Sequence, residues 1–189
     1  MNILIVYAHP NHHSFNAAIL KQVQSHLSKK HSVQLLDLYA ENFDPILRFD
    51  NNNKRRNLKN LPQTKKYRNQ ISWADKLIFI FPIWWGGMPA ILKGYIDSVF
   101  VSGFAYSNKK MGMDGHLNGK SAWIITTHNT PSIIAHYFSQ DYGKVLKKQV
   151  LKACSISPIK HTDITSVERL SEEKLKQVLG KVSDDAKNI

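Results

Sequence analysis

Hydrophobic residues run almost without interruption at 3–8, 77–81 and 122–126, and less purely at 33–38 and 159–167. Short apolar runs without polar alternation are what strands covered on both faces require. Between them apolar positions recur at helical spacing: Phe15, Ile19, Val23 and Leu27; Ile91, Leu92, Tyr95, Ile96 and Val99; Leu146, Val150 and Cys154; Leu175, Val178, Leu179, Val182 and Ala186. Each set makes one stripe of an amphipathic helix. Strands alternating with helices predict right-handed βαβ crossovers and an α/β fold, a doubly wound sandwich around a central parallel five-stranded sheet. In such sheets ligands lie beyond the carboxyl ends of the strands.

Two stretches break the alternation. Residues 41–66, with Asn51-Asn52-Asn53-Lys54-Arg55-Arg56, predict an exposed loop leading into a short helix that ends near Trp73. Residues 102–120, punctuated by Gly103, Gly112, Gly115 and Gly119, predict a second excursion. Long loops on an α/β sheet usually lie near function. With 189 residues and 42% apolar content the chain suits one domain over 1–189, which excludes a disulfide-stapled miniprotein and a disordered tail. Its only cysteine, Cys154, forms no intrachain disulfide, and no Cys/His set has zinc spacing, so no metal is expected. The first residues lack a basic leader, and the apolar run at 77–85 is far shorter than the ~20 residues of a membrane helix. A cytoplasmic protein is the expectation.

Candidate chemistry gathers where strands hand over to loops. After the first strand comes His9-Pro10-Asn11-His12-His13-Ser14-Phe15-Asn16. Ser14 is a natural helix N-cap, Asn16 an amide donor and His9 a further donor, so this turn suits a phosphate at a helix N-terminus. His12 and His13 read as exposed. The turn has no glycine, which excludes Gly-x-Gly-x-x-Gly and Gly-x-x-x-x-Gly-Lys loops. After the third strand, Phe81-Pro82-Ile83-Trp84-Trp85-Gly86-Gly87-Met88-Pro89 puts two tryptophans beside two glycines. Such a loop can hold a flat ring system by stacking and main-chain hydrogen bonds; equally, one tryptophan could fill the core and the other a subunit contact. Thr126-Thr127-His128-Asn129-Thr130-Pro131 follows the next strand, so three loops converge on one crevice.

These residues carry a resemblance. His9 with Ser14-Phe15-Asn16, Asp37-Leu38-Tyr39, Phe43-Asp44-Pro45, and Phe81-Pro82-Ile83-Trp84-Trp85-Gly86 running on to Pro89-Ala90-Ile91-Leu92-Lys93-Gly94-Tyr95-Ile96-Asp97 resemble the flavodoxin-like NAD(P)H:quinone oxidoreductase family. The similarity continues through Gly103-Phe104-Ala105-Tyr106 and Thr126-Thr127 and covers nearly the whole chain. Thr130-Pro131 and residues 151–158 resemble a bacterial branch, whereas the animal-type enzymes have paired glycines in the corresponding loop. The resemblance implies a flavin, FMN or alternatively FAD, with its phosphate end at His9, Ser14, Phe15 and Asn16. Its ring would lie on Pro82, Ile83, Trp84, Trp85 and Gly86, closed by Thr126, Thr127 and His128. It further implies NADPH or NADH as co-substrate, ping-pong hydride transfer to a quinone or other flat acceptor, and a homodimer with the active site at the interface. Tyr106 falls where the family has a substrate-pocket tyrosine from the partner chain, or is simply a loop aromatic in a dimer contact. Animal-type members carry a tyrosine and a histidine as proton partners; Ile134 stands at the tyrosine's place, leaving His128 and His136 as substitutes.

Charge adds less. Lys and Arg total 26 against 14 Asp and Glu, a net +12, spread through Lys54-Arg55-Arg56, Lys65-Lys66, Lys109-Lys110 and Lys147-Lys148. Solvated surface accounts for that spread. It also raises the on-rate of a phosphorylated cofactor and allows peripheral membrane association. No nucleic-acid module accompanies it, so nucleic acid is not an expected partner. A rival to the enzyme is a flavin-binding electron carrier or regulatory subunit of a membrane transporter.

Overall fold

The computed structural model describes residues 1–51, 54–137 and 143–189. Its strands are β1 (Asn2–Tyr7), β2 (Ser32–Asp37), β3 (Lys76–Pro82), β4 (Tyr106–Asn108), β5 (Met113–Gly115), β6 (Ser121–Thr127) and β7 (Ile159–Ile164). The helices are α1 (Phe15–Leu27), α2 (Pro62–Trp73), α3 (Ala90–Val99), α4 (Ser132–Tyr137) and α5 (Glu172–Lys187). Five strands form one parallel sheet in the order β2-β1-β3-β6-β7. The uninterrupted apolar runs follow from covering both faces. From β1, Ile3, Ile5 and Tyr7 enter one core with Ile19 and Val23 of α1 and Val182 and Ala186 of α5. Leu4 and Val6, with Ala8 just past the strand, enter the other, with Tyr67 and Ile71 of α2 and Leu92, Tyr95 and Val99 of α3.

The chain leaves β1 toward β2 on one side and returns for β3 on the other, so the switch of winding falls between β1 and β3. That is where an open α/β sheet parts its loops. Tyr7 pairs with Ile80, Pro82 with Thr127, and Thr127 with Ile164, which brings the ends of β1, β3, β6 and β7 to one edge.

Four expectations change. The 102–120 excursion contains a short antiparallel hairpin, Tyr106 opposite Gly115. The 41–66 loop ends early, in a 3₁₀ turn at Arg55–Asn60 and then α2, which Pro62 opens. Buried Arg68 organises this entry by donating to the Leu61 carbonyl at 2.9 Å, the Leu58 carbonyl at 3.4 Å and the Thr64 hydroxyl. The stripe at 146–154 winds as a π-helix over Val145–Leu151, and β7 stops at Ile164, short of the expected residue 167.

Candidate functional site

The first loop is ordered by its own side chains. The Asn11 amide donates to His9 Nδ1 at 3.0 Å, and Asn11 Oδ1 accepts from the His13 amide at 2.8 Å. With Nδ1 accepting, the His9 ring carries its proton on Nε2 as a donor. Burial holds this imidazole below its ordinary pKa, against its backbone contact with Asn11. Ser14 Oγ accepts from the Ala17 amide at 3.2 Å and caps α1. Helix geometry leaves the first-turn amides of Phe15 and Asn16 with no acceptor inside the helix. Asn16 is buried and donates to Thr127 Oγ1 at 2.7 Å; its Oδ1 has no hydrogen-bond partner among the described residues. The amide donor expected of Asn16 is thus engaged with Thr127, and what Asn16 retains is an acceptor.

The second loop is a tight turn. Trp84 donates to the Gly87 carbonyl at 2.9 Å and Gly87 donates back at 3.0 Å, with φ +51° at Trp85 and φ +77° at Gly86 between them. Positive φ at both central positions defines a type I′ turn. The turn keeps both tryptophans out of the core: Trp84 is 42% exposed and Trp85 fully so. Trp84 meets His9 across the crevice at 5.9 Å between ring centroids, which joins the first two loops.

The third loop separates its residues by strand alternation. Thr127 faces Asn16, whereas the fully buried Thr126 donates to Asp163 Oδ1 at 2.7 Å and lies 2.9 Å from His161 Nε2. His128 Nε2 lies 3.1 and 3.2 Å from the two Asp163 oxygens, its side chain only 2% exposed. Burial alone would raise the Asp163 pKa, but hydrogen bonds from His128 and Thr126, with the charge of His128 and His161, hold the carboxyl below its ordinary value. Sequence reasoning missed this pair. A signal existed: His161 and Asp163 alternate, one residue apart, in β7, whose sheet partner β6 is apolar at Ala122, Trp123, Ile124 and Ile125.

The loops enclose one continuous cleft. A lobe of about 590 Å³ lies among Ile83, Trp84, Trp85, Gly86, His128, Asn129 and Thr130. A second lobe of about 250 Å³ shares Ile83, Trp84, His128 and Asn129 and reaches His9, Ser14, Phe15, Asn16, Pro82 and Thr127, with Glu168 at its rim. Eleven of the twelve residues expected to hold the cofactor therefore line the cleft, and the twelfth, Thr126, is buried behind them. Tyr106 does not join them within one chain: it lines a separate cavity of about 480 Å³ with Arg55, Arg56, Phe100 and Met113. The His136 side chain lies outside the described residues. Among the described residues no His, Cys, Asp and Glu cluster fit for a metal occurs, and no helix is long and apolar enough to cross a membrane.

The site's donors and acceptors suit a flavin. The end of α1 offers donors to a phosphate, the orphan Asn16 Oδ1 an acceptor to a ribityl hydroxyl, and Trp84 with Ile83 an aromatic and apolar wall to a flat ring.

The family model described as flavodoxin-like fold matches residues 1–185. The uncharacterized NAD(P)H oxidoreductase YcaK of Escherichia coli is 31% identical over 169 residues, 86% of this chain and 81% of YcaK. NAD(P)H dehydrogenase (quinone) 1 of Cavia porcellus is 35% identical over 149 residues, and the match spans 69% of this chain but only 54% of that protein. Among solved structures, Smu.1420 from Streptococcus mutans UA159 superposes with a TM-score of 0.98 at 63% identity, covering 100% of both chains. An NAD(P)H:quinone oxidoreductase from Methanothermobacter marburgensis shares the fold at a TM-score of 0.84 and 22% identity, covering 100% of this chain and 96% of that one. By its strand order and these matches, the chain belongs to the flavodoxin-like NAD(P)H oxidoreductase family.

Proposed function

We propose that the protein is a flavin-dependent NAD(P)H:quinone oxidoreductase that holds FMN in the cleft and turns over by ping-pong hydride transfer. The observation that carries this reading is the continuity of the cleft from the amino end of α1 to the Trp84 wall. A phosphate requires donors and positive potential, and the Phe15 and Asn16 amides, the Ser14 hydroxyl and His9 Nε2–H answer that requirement. When bound, the flavin supplies the hydride acceptor and donor, which leaves binding, orientation and electrostatics to the chain. The Trp84 and Gly87 amides are spent closing the turn, so those of Trp85 and Gly86 remain to stabilise negative charge developing on the ring. Ile83 and Trp84 keep water from one face, and the open side beyond Trp85 admits nicotinamide and acceptor by turns.

Relatives named as oxidoreductases favour turnover over an electron carrier or transporter subunit. Tyr106, placed outside its own chain's cleft, fits a homodimer in which it reaches the partner's site. The buried free thiol of Cys154 suits a reducing, cytoplasmic setting.

The test is the absorbance spectrum of the purified protein, chromatography of the released chromophore, and anaerobic titration with NADPH and NADH. Flavin bands that bleach with a nicotinamide and return with a quinone are expected, with FMN released. Flavin that neither nicotinamide reduces would mark a carrier, and no flavin bound or taken up would overturn the assignment.

A further inference from the structure

We propose that the cavity beside Tyr106 is a second binding site, one that takes a flat organic anion: an aromatic ring system whose sulfonate, carboxylate or phosphate is held by Arg55 and Arg56. The inference goes beyond the flavin reading and does not depend on it. At about 480 Å³ the cavity is of the size that encloses a small molecule, and it shares no residue with either lobe of the flavin cleft.

The charge of this cavity is one-sided. Among the described residues neither Arg55 nor Arg56 has an ion-pair partner. The carboxylate on the lining, Asp97, is taken by Lys93, whose ammonium lies 2.7 Å from each of its oxygens. Burial pushes the Cys154 thiol up to about 11, so it is uncharged at neutral pH. Two guanidinium groups thus share the lining with Phe100, Val101 and Val150 and meet no compensating anion. Apolar walls concentrate such a field, and a guanidinium fork binds an oxyanion through paired hydrogen bonds. The rings of Phe100 and Tyr106 suit a flat partner for the rest of the ligand.

The cavity is built by contacts between its walls. Lys59 of the 3₁₀ turn lies against the loop after α3, where a Cβ on Gly103 would be 2.6 Å from the Lys59 Cδ. The β4–β5 hairpin is held as closely: a Cβ on Gly115 would lie 2.3 Å from the Cys154 carbonyl carbon, and Leu117 donates to the Cys154 carbonyl at 3.0 Å. Gln149 and Val150 enter the lining from the π-helix over Val145–Leu151. π-Helical turns are rare and recur at functional sites. None of the residues of this one lines the flavin cleft, so what it serves is the cavity beside Tyr106.

The test is calorimetric titration of the flavin-loaded protein with anilinonaphthalene sulfonate, a flat sulfonated ring system. One probe per chain is expected. Arg55→Gln combined with Arg56→Gln should weaken binding about tenfold or more. Lys174→Gln combined with Lys176→Gln removes the same charge from α5, across the sheet from α3, and should change it by less than about twofold. Ala153→Phe, which fills the cavity and leaves both arginines, should abolish binding; where that chain does not fold, the comparison of the two charge variants decides. Equal weakening by both charge variants, or full binding to folded Ala153→Phe, overturns the proposal. A natural chain that binds no probe overturns it too, and a dimer lost on replacing the two arginines would then assign the cavity to a second copy of the chain. Competition separates two sources of the anion. Displacement by adenosine 2′,5′-bisphosphate points to the phosphorylated half of NADPH, a probe left in place points to a free aromatic anion, and either result keeps the site. A chain that takes up no flavin fails the earlier reading and still answers this test.

Discussion

Trp85 holds φ +51° with its whole side chain in solvent, a conformation that costs a bulky residue about 1–3 kcal/mol and gives nothing back in core packing. Type I′ turns favour Asn followed by Gly, and Gly86 already occupies the second central position. Trp85→Asn should therefore stabilise the flavin-free protein by about 0.5–1 kcal/mol in urea unfolding. The same change should weaken turnover with flat acceptors several-fold, seen as a raised KM for quinone. Lower stability would instead mean that the indole packs on something that offsets its strain. The residue scale is also where sequence reading reached furthest and then stopped. His9, Ser14 and Asn16 were legible because a cap and its loop are contiguous in the chain. Asp163 was not, because it meets His128 only through a strand pairing that joins residues 35 apart. The direction of the Asn16 amide, donor to Thr127 rather than to a ligand, depended equally on a neighbour 111 residues away.

Helix α3 and the loop after β2 are packed so closely that backbone meets backbone. A Cβ on Gly94 would lie 2.2 Å from the Pro45 carbonyl oxygen and 2.4 Å from its Cα. Beside this contact Phe43 packs edge-on against Tyr67 and Tyr95, with centroids 5.2 and 5.8 Å away. Helix propensity alone favours Ala over Gly by about 1 kcal/mol. At Gly94 the clash decides, and Gly94→Ala should destabilise by about 1–3 kcal/mol in denaturant unfolding. Gly180 on α5 has nothing within 4 Å of its virtual Cβ, so there propensity decides and Gly180→Ala should stabilise by about 0.5–1 kcal/mol. Equal signs for the two would mean that the loop yields to α3. Opposite results are expected from one substitution because two helices of the same sandwich differ in what covers them. The same distinction explains which elements could be read in advance. Strands buried on both faces and helices with one apolar stripe announce themselves by composition. The hairpin of β4 and β5 has strands of 3 residues with mixed polarity, too short to show a period, and the π-helical winding of Val145–Leu151 keeps an apolar stripe that an α-helix would show as well.

At the scale of the whole molecule the net charge of +12 is the property most open to test. Many acidic groups are already matched locally: Glu41 with Lys66, Asp44 with Arg48, Asp97 with Lys93, Asp114 with Lys109 and Asp185 with Lys160. Each such pair is close to neutral from a distance, so the surplus of lysine and arginine sets the far field. A field of that sign attracts a dinucleotide cofactor before contact, and NADPH, with an additional phosphate, more than NADH. Salt shortens the reach of that field from ~30 Å at 0.01 M to ~8 Å at 0.15 M. Raising ionic strength over that range should lower kcat/KM for NADPH several-fold, lower it less for NADH, and leave kcat unchanged, because encounter is screened while chemistry in the cleft is not. The count of charges was legible in the sequence, but their distribution about the cleft was not, and Glu168 stands at its rim with the opposite sign. Equal salt dependence for the two nicotinamides would mean that the cofactor meets no net positive field on its approach. The excess cations would then lie on faces it does not cross.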